Sequence, residues 1–456
     1  MKPIFVTIGS SDWDLLKELL FTPDGNENAA ALLCGTSDTD AQRRLLVRRI
    51  RPVPPDLYIE RLPYHLEIAP SFYNQIVSEC LGERLTPVIV HSHPGHRDAW
   101  YSGSDDHGEK RLLSTLASLL PDTLPASLVV TPSAATGRVF VKGLFSPLAG
   151  ITIVGTPIIR YRFDNESRKR EEEPSERFDR QIRAFGKDGQ QTLESLKVGI
   201  VGVGGTGSLV AEQLVRAGVR DLRLVDPDDI EESNLSRIFG ATKRDVSRHK
   251  VDVLAKHLSK ISTATIATDL RSAIKQSVLM TLRDCDIVFS CVDNDRTRAL
   301  LSRFAHQYLI PVIDLGTRLD ARQGRITAAA GRVSILGNSL TCLRCSNHVN
   351  PERIRAESMS REERIVLQQE GYVMGIDDPA PAVVSLNTVI AGLGATAALN
   401  LFVALTGAAQ PVDQIYDARS GSVFPVSAKH ERGCDVCDDV NGVKALGDIQ
   451  IVSAYD

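Results

Sequence analysis

An excess of charge of one sign is missing from this chain. Lys and Arg total 53 against 57 Asp and Glu, a formal charge of -4, so there is no basic footprint of the kind that tracks a nucleic-acid backbone or an anionic membrane surface. A protein or a small molecule is the expected partner. No apolar run is read as reaching the length of a membrane span. The opening Met1-Lys2-Pro3-Ile4-Phe5-Val6 also lacks the long apolar segment and cleavage site of a secretory leader, so a cytoplasmic location is expected. No repeat or low-complexity tract is evident. What remains is a chain of 456 residues, 43% hydrophobic and 24% charged, enough for two or three globular domains. Four of its eight cysteines form two C-x-x-C pairs, which in a reducing compartment points to metal rather than to disulfides.

The uninterrupted polar stretch 165–176 separates two patterned regions and reads as a linker. Residues 1–164 and 177–442 are the expected domains, with 443–456 as a tail. In the first, strands are predicted at Ile4–Ile8, Ala29–Leu33, Leu45–Ile50, Pro87–His91, Ser127–Thr131, Gly137–Val141 and Ile151–Ile153. Helices are predicted at Asp12–Leu20, Pro70–Cys80 and Ser104–Leu120. The pattern is that of an α/β sandwich. Beyond the linker, apolar strands alternate with amphipathic helices in the rhythm of a mostly parallel sheet.

At the end of the Pro87–His91 strand stands His91-Ser92-His93-Pro94, followed by Ser102 and Asp105. Side chains repeat every two residues along a strand, so His91 and His93 project to one side and can share a metal. Asp105 can return from the start of the next helix as a third ligand. The fourth tetrahedral position is then left for water, as in a catalytic zinc site. Ser102 would hydrogen-bond the developing oxyanion. The competing possibility is two strand histidines beside a turn, with Asp105 only capping a helix. These residues resemble the JAMM (JAB/MPN) metalloproteases, over about the first third of the chain. The resemblance implies a JAB/MPN sandwich that cleaves at the C-terminus of ubiquitin or ubiquitin-like proteins. It further implies a glutamate general base, best matched by Glu27, that takes a proton from the attacking water.

In the second region, Val198–Val201 runs into Gly202-Val203-Gly204-Gly205-Thr206-Gly207 and then a helical pattern. Glycines allow the tight turn, and the exposed amides of a helix N-terminus favour phosphate. Asp226, at the end of the next strand, can accept ribose hydroxyls. A nicotinamide dehydrogenase would carry the same fingerprint. Further along come Arg180 in Arg177-Phe178-Asp179-Arg180-Gln181, Asp228 in Asp226-Pro227-Asp228, Asn234 and Arg237 in Ser233-Asn234-Leu235-Ser236-Arg237, then Lys250, and Asp293 after Cys291. This many cations, with a carboxylate for magnesium, suit a departing pyrophosphate better than hydride transfer. Together the segments resemble the ThiF/MoeB adenylyltransferases, relatives of the ubiquitin-activating enzyme. That resemblance implies a Rossmann-like domain that uses ATP to adenylate the C-terminal carboxylate of a small ubiquitin-like or sulfur-carrier protein. By it Gly202, Gly204, Gly205, Gly207, Asp226 and Asp228 cradle the nucleotide, and Asn234, Arg237 and Lys250 hold the phosphates. Asp293 holds magnesium, and Arg180 reaches into the neighbouring subunit of a homodimer.

Cys342, Cys345, Cys434 and Cys437 are two thiolate hooks that can close a structural zinc site, with a redox C-x-x-C or unrelated thiols as the alternatives. The hooks also belong to the resemblance, whose thioester-forming relatives place a further cysteine after the first hook. This chain has none from Ser346 to Leu386. Cys34, Cys80, Cys285 and Cys291 read as core residues, so the adenylate is expected to pass to a conjugating-enzyme cysteine or a persulfide, a thioester on Cys291 remaining open. The combined expectation is a ubiquitin-like modification enzyme carrying ATP, magnesium and two zinc ions. Sulfur transfer for cofactor or siderophore synthesis is the alternative, and a first domain that only docks the small protein is another.

Overall fold

The computed structural model describes residues 1–163, 176–337, 340–360, 362–363, 381–405 and 410–449, so most of the expected linker and part of the 346–386 loop lie outside the described residues. It divides into two compact units. One comprises Met1–Glu172 with Gln307–Leu309 and Lys444–Ile451, and the other most of the remainder.

The first unit is a nine-stranded mixed sheet covered on both faces. Its elements are β1 (Ile4–Gly9), α1 (Ser10–Leu20), β2 (Ala29–Asp38), β3 (Arg43–Pro52), the hairpin β4 (Tyr58–Leu62) and β5 (His65–Ile68), α2 (Pro70–Glu83), β6 (Thr86–Ser92), α3 (Gly103–Leu119), β7 (Ala126–Val130), β8 (Ala135–Val141), β9 (Leu144–Pro147), β10 (Gly150–Val154) and β11 (Ile159–Arg162). Strand order is β11-β10-β1-β3-β2-β6-β7-β8-β9. Alternation along the central strands sorts the core. Ala30, Leu32, Val88 and Val90 meet Trp13, Leu16 and Leu20 of α1, whereas Ala29, Ala31, Leu33 and Ile89 meet Phe72 and Ile76 of α2 and Leu113 and Leu116 of α3. Each fully buried leucine contributes about 2 kcal/mol, and a one-residue slip would turn both sets inside out. The predicted elements are present, with β2 longer than expected, while the β4–β5 hairpin, β9 and β11 were not foreseen. Near the C-terminus, Gly447 bridges to Thr36 and Lys444 pairs with Asp12 at 2.9 Å, within this same unit.

The second unit holds an eight-stranded sheet of order β14-β13-β12-β15-β16-β17-β18-β19. Its elements are α4 (Asp179–Ser195), β12 (Lys197–Val201), α5 (Gly205–Ala217), β13 (Asp221–Val225), α6 (Lys250–Leu258), β14 (Thr265–Asp269), α7 (Gln276–Leu282), β15 (Ile287–Ser290), α8 (Asp295–Tyr308), β16 (Val312–Arg322), β17 (Arg325–Leu336), α9 (Pro351–Ser358), α10 (Val384–Val403), β18 (Asp413–Asp417) and β19 (Ser422–Pro425). The run β14-β13-β12-β15-β16 is parallel and the rest antiparallel. In this order the chain reverses direction of travel between β12 and β15, the crevice where open α/β sheets take ligands. One expectation is corrected here. Helix α10 is long and apolar enough to cross a membrane by length and composition, so a run of that length does exist. The sequence disguises it with Asn387, Thr388, Gly392 and Gly394. It packs on α5, β16 and β17, with Ile390 seated over Gly331, where a Cβ would lie 2.1 Å from the isoleucine.

Candidate metal centre and nucleotide site

Ala29 of β2 pairs with His91 of β6, so two residues back along one strand and two forward along the other Glu27 comes opposite His93. All four side chains share the parity of Ala31 and Ile89, the face covered by α2 and α3. That places the histidines under the first turn of α3. His91 Nε2 lies 3.4 Å from Asp105 Oδ1, and His93 Nε2 lies 3.7 Å from both Asp105 Oδ2 and Glu27 Oε1. Ligand atoms of His91, His93 and Asp105 all lie within 4.8 Å of one another. Asp105 does cap the helix, and the cap leaves one of its oxygens on the histidine side. Its Oδ2 accepts from Ser102 N at 2.6 Å and Ser102 Oγ at 2.7 Å in a capping box, while Oδ1 stays turned to His91. Ser102 therefore spends its hydroxyl proton on the cap in this state.

Burial governs the electrostatics. It raises the Glu27 carboxyl to about 7, with Asp105 adding to the rise and His91 opposing it. For His93, burial and the neighbouring His91 hold the imidazole down to about 4, so at neutral pH the ring is uncharged and one of its nitrogens offers a lone pair. Burial would also lower His91, but Asp105, Glu109 and Glu27 outweigh it and raise the ring. Asp105 goes below the usual carboxylate range because His91 and Ser102 overcome its burial. Zinc fits these donors, two imidazoles and a carboxylate. His91 Nε2 is buried with no hydrogen-bond partner, as a ligand nitrogen would be.

Sequence reasoning missed Glu109. It stands four residues after Asp105, one turn along the same helix face, and that spacing was the available signal. Its Oε2 accepts from Ser127 Oγ at 2.6 Å and Arg138 Nε at 2.9 Å, and its Oε1 lies 3.7 Å from His91 Nδ1. The Arg138 guanidinium is stacked 3.7 Å over the Tyr101 ring. Trp100 and His96 form an aromatic group beside His93, with ring centroids 5.5 and 5.9 Å from it.

In the second unit, Gly202 turns at φ 85° between the end of β12 and α5. A Cβ on Gly207 would lie 1.9 Å from Gly202 O, so only glycine lets the helix start so close to the loop. Above Gly204 an added Cβ would meet nothing within 4 Å. Asp226 accepts from Val203 N at 2.8 Å and Asp228 N at 3.0 Å, bracing the loop. Its burial raises the carboxyl despite Lys250. Lys250 Nζ lies 2.7 Å from Asp228 Oδ2 and 3.9 Å from Asp226 Oδ1. Arg237 and Asn387 flank Gly205, and Arg237 Nη1 donates to Ser233 O at 3.0 Å. Asn234 is buried, its Oδ1 accepting from Glu231 N at 3.3 Å. Asp293 is exposed just past β15, after Cys291, whose carbonyl neighbours Gly202. Arg180 is exposed on α4, and no bond to a described residue links it to the glycine loop. Asn387 was not anticipated.

The two cysteine hooks do meet. Cys342 and Cys434 sulfurs are 3.7 Å apart and Cys345 and Cys437 3.6 Å, close to the ~3.8 Å edge of a tetrahedron with zinc–sulfur bonds of about 2.3 Å. Hydrogen bonds from its neighbours lower the Cys342 thiol to about 5, while burial raises Cys345. Clustered thiolates of this kind fit a cation. Cys34, Cys80 and Cys285 are buried. Burial, with Asp314 nearby, pushes the Cys291 thiol far up, which makes it a poor nucleophile.

A glycine loop at the switch point of a parallel sheet, with an acidic brace and a lysine beside it, defines a nucleotide-binding α/β protein. Residues 178–436 match the model of the ThiF family, and the chain belongs to that family. It is 28% identical over 276 residues to the sulfur carrier protein ThiS adenylyltransferase of Escherichia coli, covering 58% of this chain and 96% of that one. It is 31% identical over 137 residues to a tRNA threonylcarbamoyladenosine dehydratase of Haemophilus influenzae. There the match takes in 29% of this chain and spans about half, 52%, of that relative's length. A crystal structure of E. coli MccB with AMPCPP and MccA aligns at a TM-score of 0.46 and 19% identity, over 58% of this chain and 75% of that one.

Proposed function

We propose that the chain is a two-centred enzyme acting on the C-terminal tail of a small ubiquitin-like or sulfur-carrier protein. The second unit would use ATP to adenylate the terminal carboxylate. The first, a JAMM-type zinc peptidase, would trim or release that tail. The observation that carries this is the convergence of Glu27, His91, His93 and Asp105 at one buried point in a chain that also belongs to the ThiF family.

In adenylation the carboxylate attacks the α-phosphorus and pyrophosphate leaves. Amides at the α5 N-terminus and the Lys250 and Arg237 cations would offset the phosphate charge in the open space over Gly204. Asp293 would hold magnesium. In the first unit His91, His93 and Asp105 would hold zinc, which when bound polarises the scissile carbonyl and lowers the pKa of water. Glu27 would take the proton of the attacking water and return it to the leaving amine. The high Cys291 thiol argues against an internal thioester and favours an external thiol or persulfide as acceptor. The likeness to an enzyme named for a sulfur carrier supports the sulfur-transfer branch.

Mass spectrometry of candidate small proteins incubated with ATP and the full chain tests both halves. Glu27→Ala is expected to abolish trimming alone and Asp293→Ala adenylation alone. Trimming that survives Glu27→Ala, or no pyrophosphate exchange by the wild type with any candidate, refutes the corresponding half.

A further inference from the structure

We propose that Glu109 is a positioning residue for the metal centre, holding His91 in the tautomer whose Nε2 lone pair is turned to Asp105. The inference rests on the zinc assignment above. A ligating imidazole must carry its proton on the nitrogen away from the metal, and an acceptor there fixes both tautomer and ring orientation. His91 Nε2 faces Asp105 Oδ1 at 3.4 Å, so Nδ1 is the nitrogen to be protonated. The carboxylate facing it is Glu109, whose Oε1 lies 3.7 Å from Nδ1.

The two oxygens of Glu109 are not equivalent. Oε2 is taken by Ser127 Oγ at 2.6 Å and Arg138 Nε at 2.9 Å, which fixes the carboxylate plane. Oε1 is buried without a hydrogen-bond partner. A buried acceptor left unpaired is costly, and a His91 Nδ1–H drawn a few tenths of an ångström closer would satisfy it. Arg138 is anchored in turn by Asp106 at 2.5 Å and by the Tyr101 ring. The acceptor is thus held from β7, β8 and α3 rather than left on a free side chain.

Glu109→Gln separates this from a packing role. The amide oxygen is claimed by Ser127 and Arg138, so the NH2 is presented to His91 Nδ1. A donor there favours the tautomer protonated on Nε2, which leaves no lone pair on the nitrogen that faces Asp105. Zinc content of the full-length protein comes first: two ions are expected for the wild type and one for His91→Ala, which identifies the weaker-held ion. In chelator competition Glu109→Gln is then expected to weaken that ion by about 10- to 100-fold, while Ser127→Ala, which keeps the carboxylate, changes it far less. A lowered melting midpoint of the metal-free Glu109→Gln protein with unaltered chelator competition overturns the inference. Should that variant not fold, Glu109→Asp keeps the charge for Arg138 but withdraws the acceptor, and unchanged affinity there overturns it equally. A wild type holding only the cysteine-bound ion refutes the zinc assignment itself.

Discussion

Glu27, His91 and His93 are all buried, whereas Arg180, Asp228 and Asp293, the residues proposed for the second site from its outer loops and α4, face solvent. The first site is assembled by strand parity and register, so its groups meet before any ligand arrives. They are held there against their own desolvation, as the raised Glu27 carboxyl records. The second is made of loops at strand ends, where the glycine turn, its Asp226 brace and Asn234 are fixed by packing while other groups stand in solvent. A metal with short directional bonds needs the first kind of preorganisation. A triphosphate, large and mobile, can complete the second kind on binding.

The glycine turn is where that contrast breaks most sharply. Gly207→Ala drives a Cβ to within 1.9 Å of Gly202 O, so the start of α5 must move. A loss of about 3 kcal/mol in stability is expected, together with ~100-fold less pyrophosphate exchange. Gly204→Ala meets nothing within 4 Å. It should leave the melting midpoint nearly unchanged yet weaken ATP, because the methyl enters the space assigned to phosphate. Equal effects of the two on stability would show that the loop is not divided into a packed and an open part.

Legibility follows the same division. His91, His93, Ser102 and Asp105 were readable because their spacing and the period of a strand are local properties. Glu27 needed the β2–β6 register, which a resemblance supplied and strand pairing then explains. For Glu109 the spacing from Asp105 gave only the shared helix face, because Ser127 and Arg138, which give it its orientation, come from later strands. The parallel strands announced themselves by the βαβ rhythm. The short strands β18 and β19 carry too little periodicity to do so, and α10 went unrecognised as a long apolar helix because polar and glycine positions interrupt it.

A buried ionisable group tests the preformed site from another side. Glu27 has its folded pKa raised to about 7 from the usual 4.5. Folding therefore favours its protonated form, and that contribution, complete below about pH 4.5, fades as pH rises through about 7. Glu27→Gln, a permanently neutral analogue, should make the metal-free protein about 3 kcal/mol more stable than wild type at pH 8 and nearly equal to it at pH 4. Denaturant titrations at the two pH values read this directly. A variant no more stable at pH 8 would mean that Glu27 is hydrated, and the preformed character of the first site would be lost.

The smallest effect on stability belongs to Arg180, and it bears on whether the open site is complete within one chain. Exposed on α4 and bonded to no described residue, it should change stability by less than about 0.5 kcal/mol when replaced by alanine. If it serves the site of a partner subunit, Arg180→Ala and Asp293→Ala are each inactive in pyrophosphate exchange. Their mixture, after subunits have exchanged, is not. A mixed dimer pairs the Asp293 of one chain with the Arg180 of the other, and so carries one intact site and one doubly damaged site. Random exchange makes about half the dimers mixed, so roughly a quarter of wild-type activity should return. An arginine acting within its own chain would give no recovery at any mixing ratio.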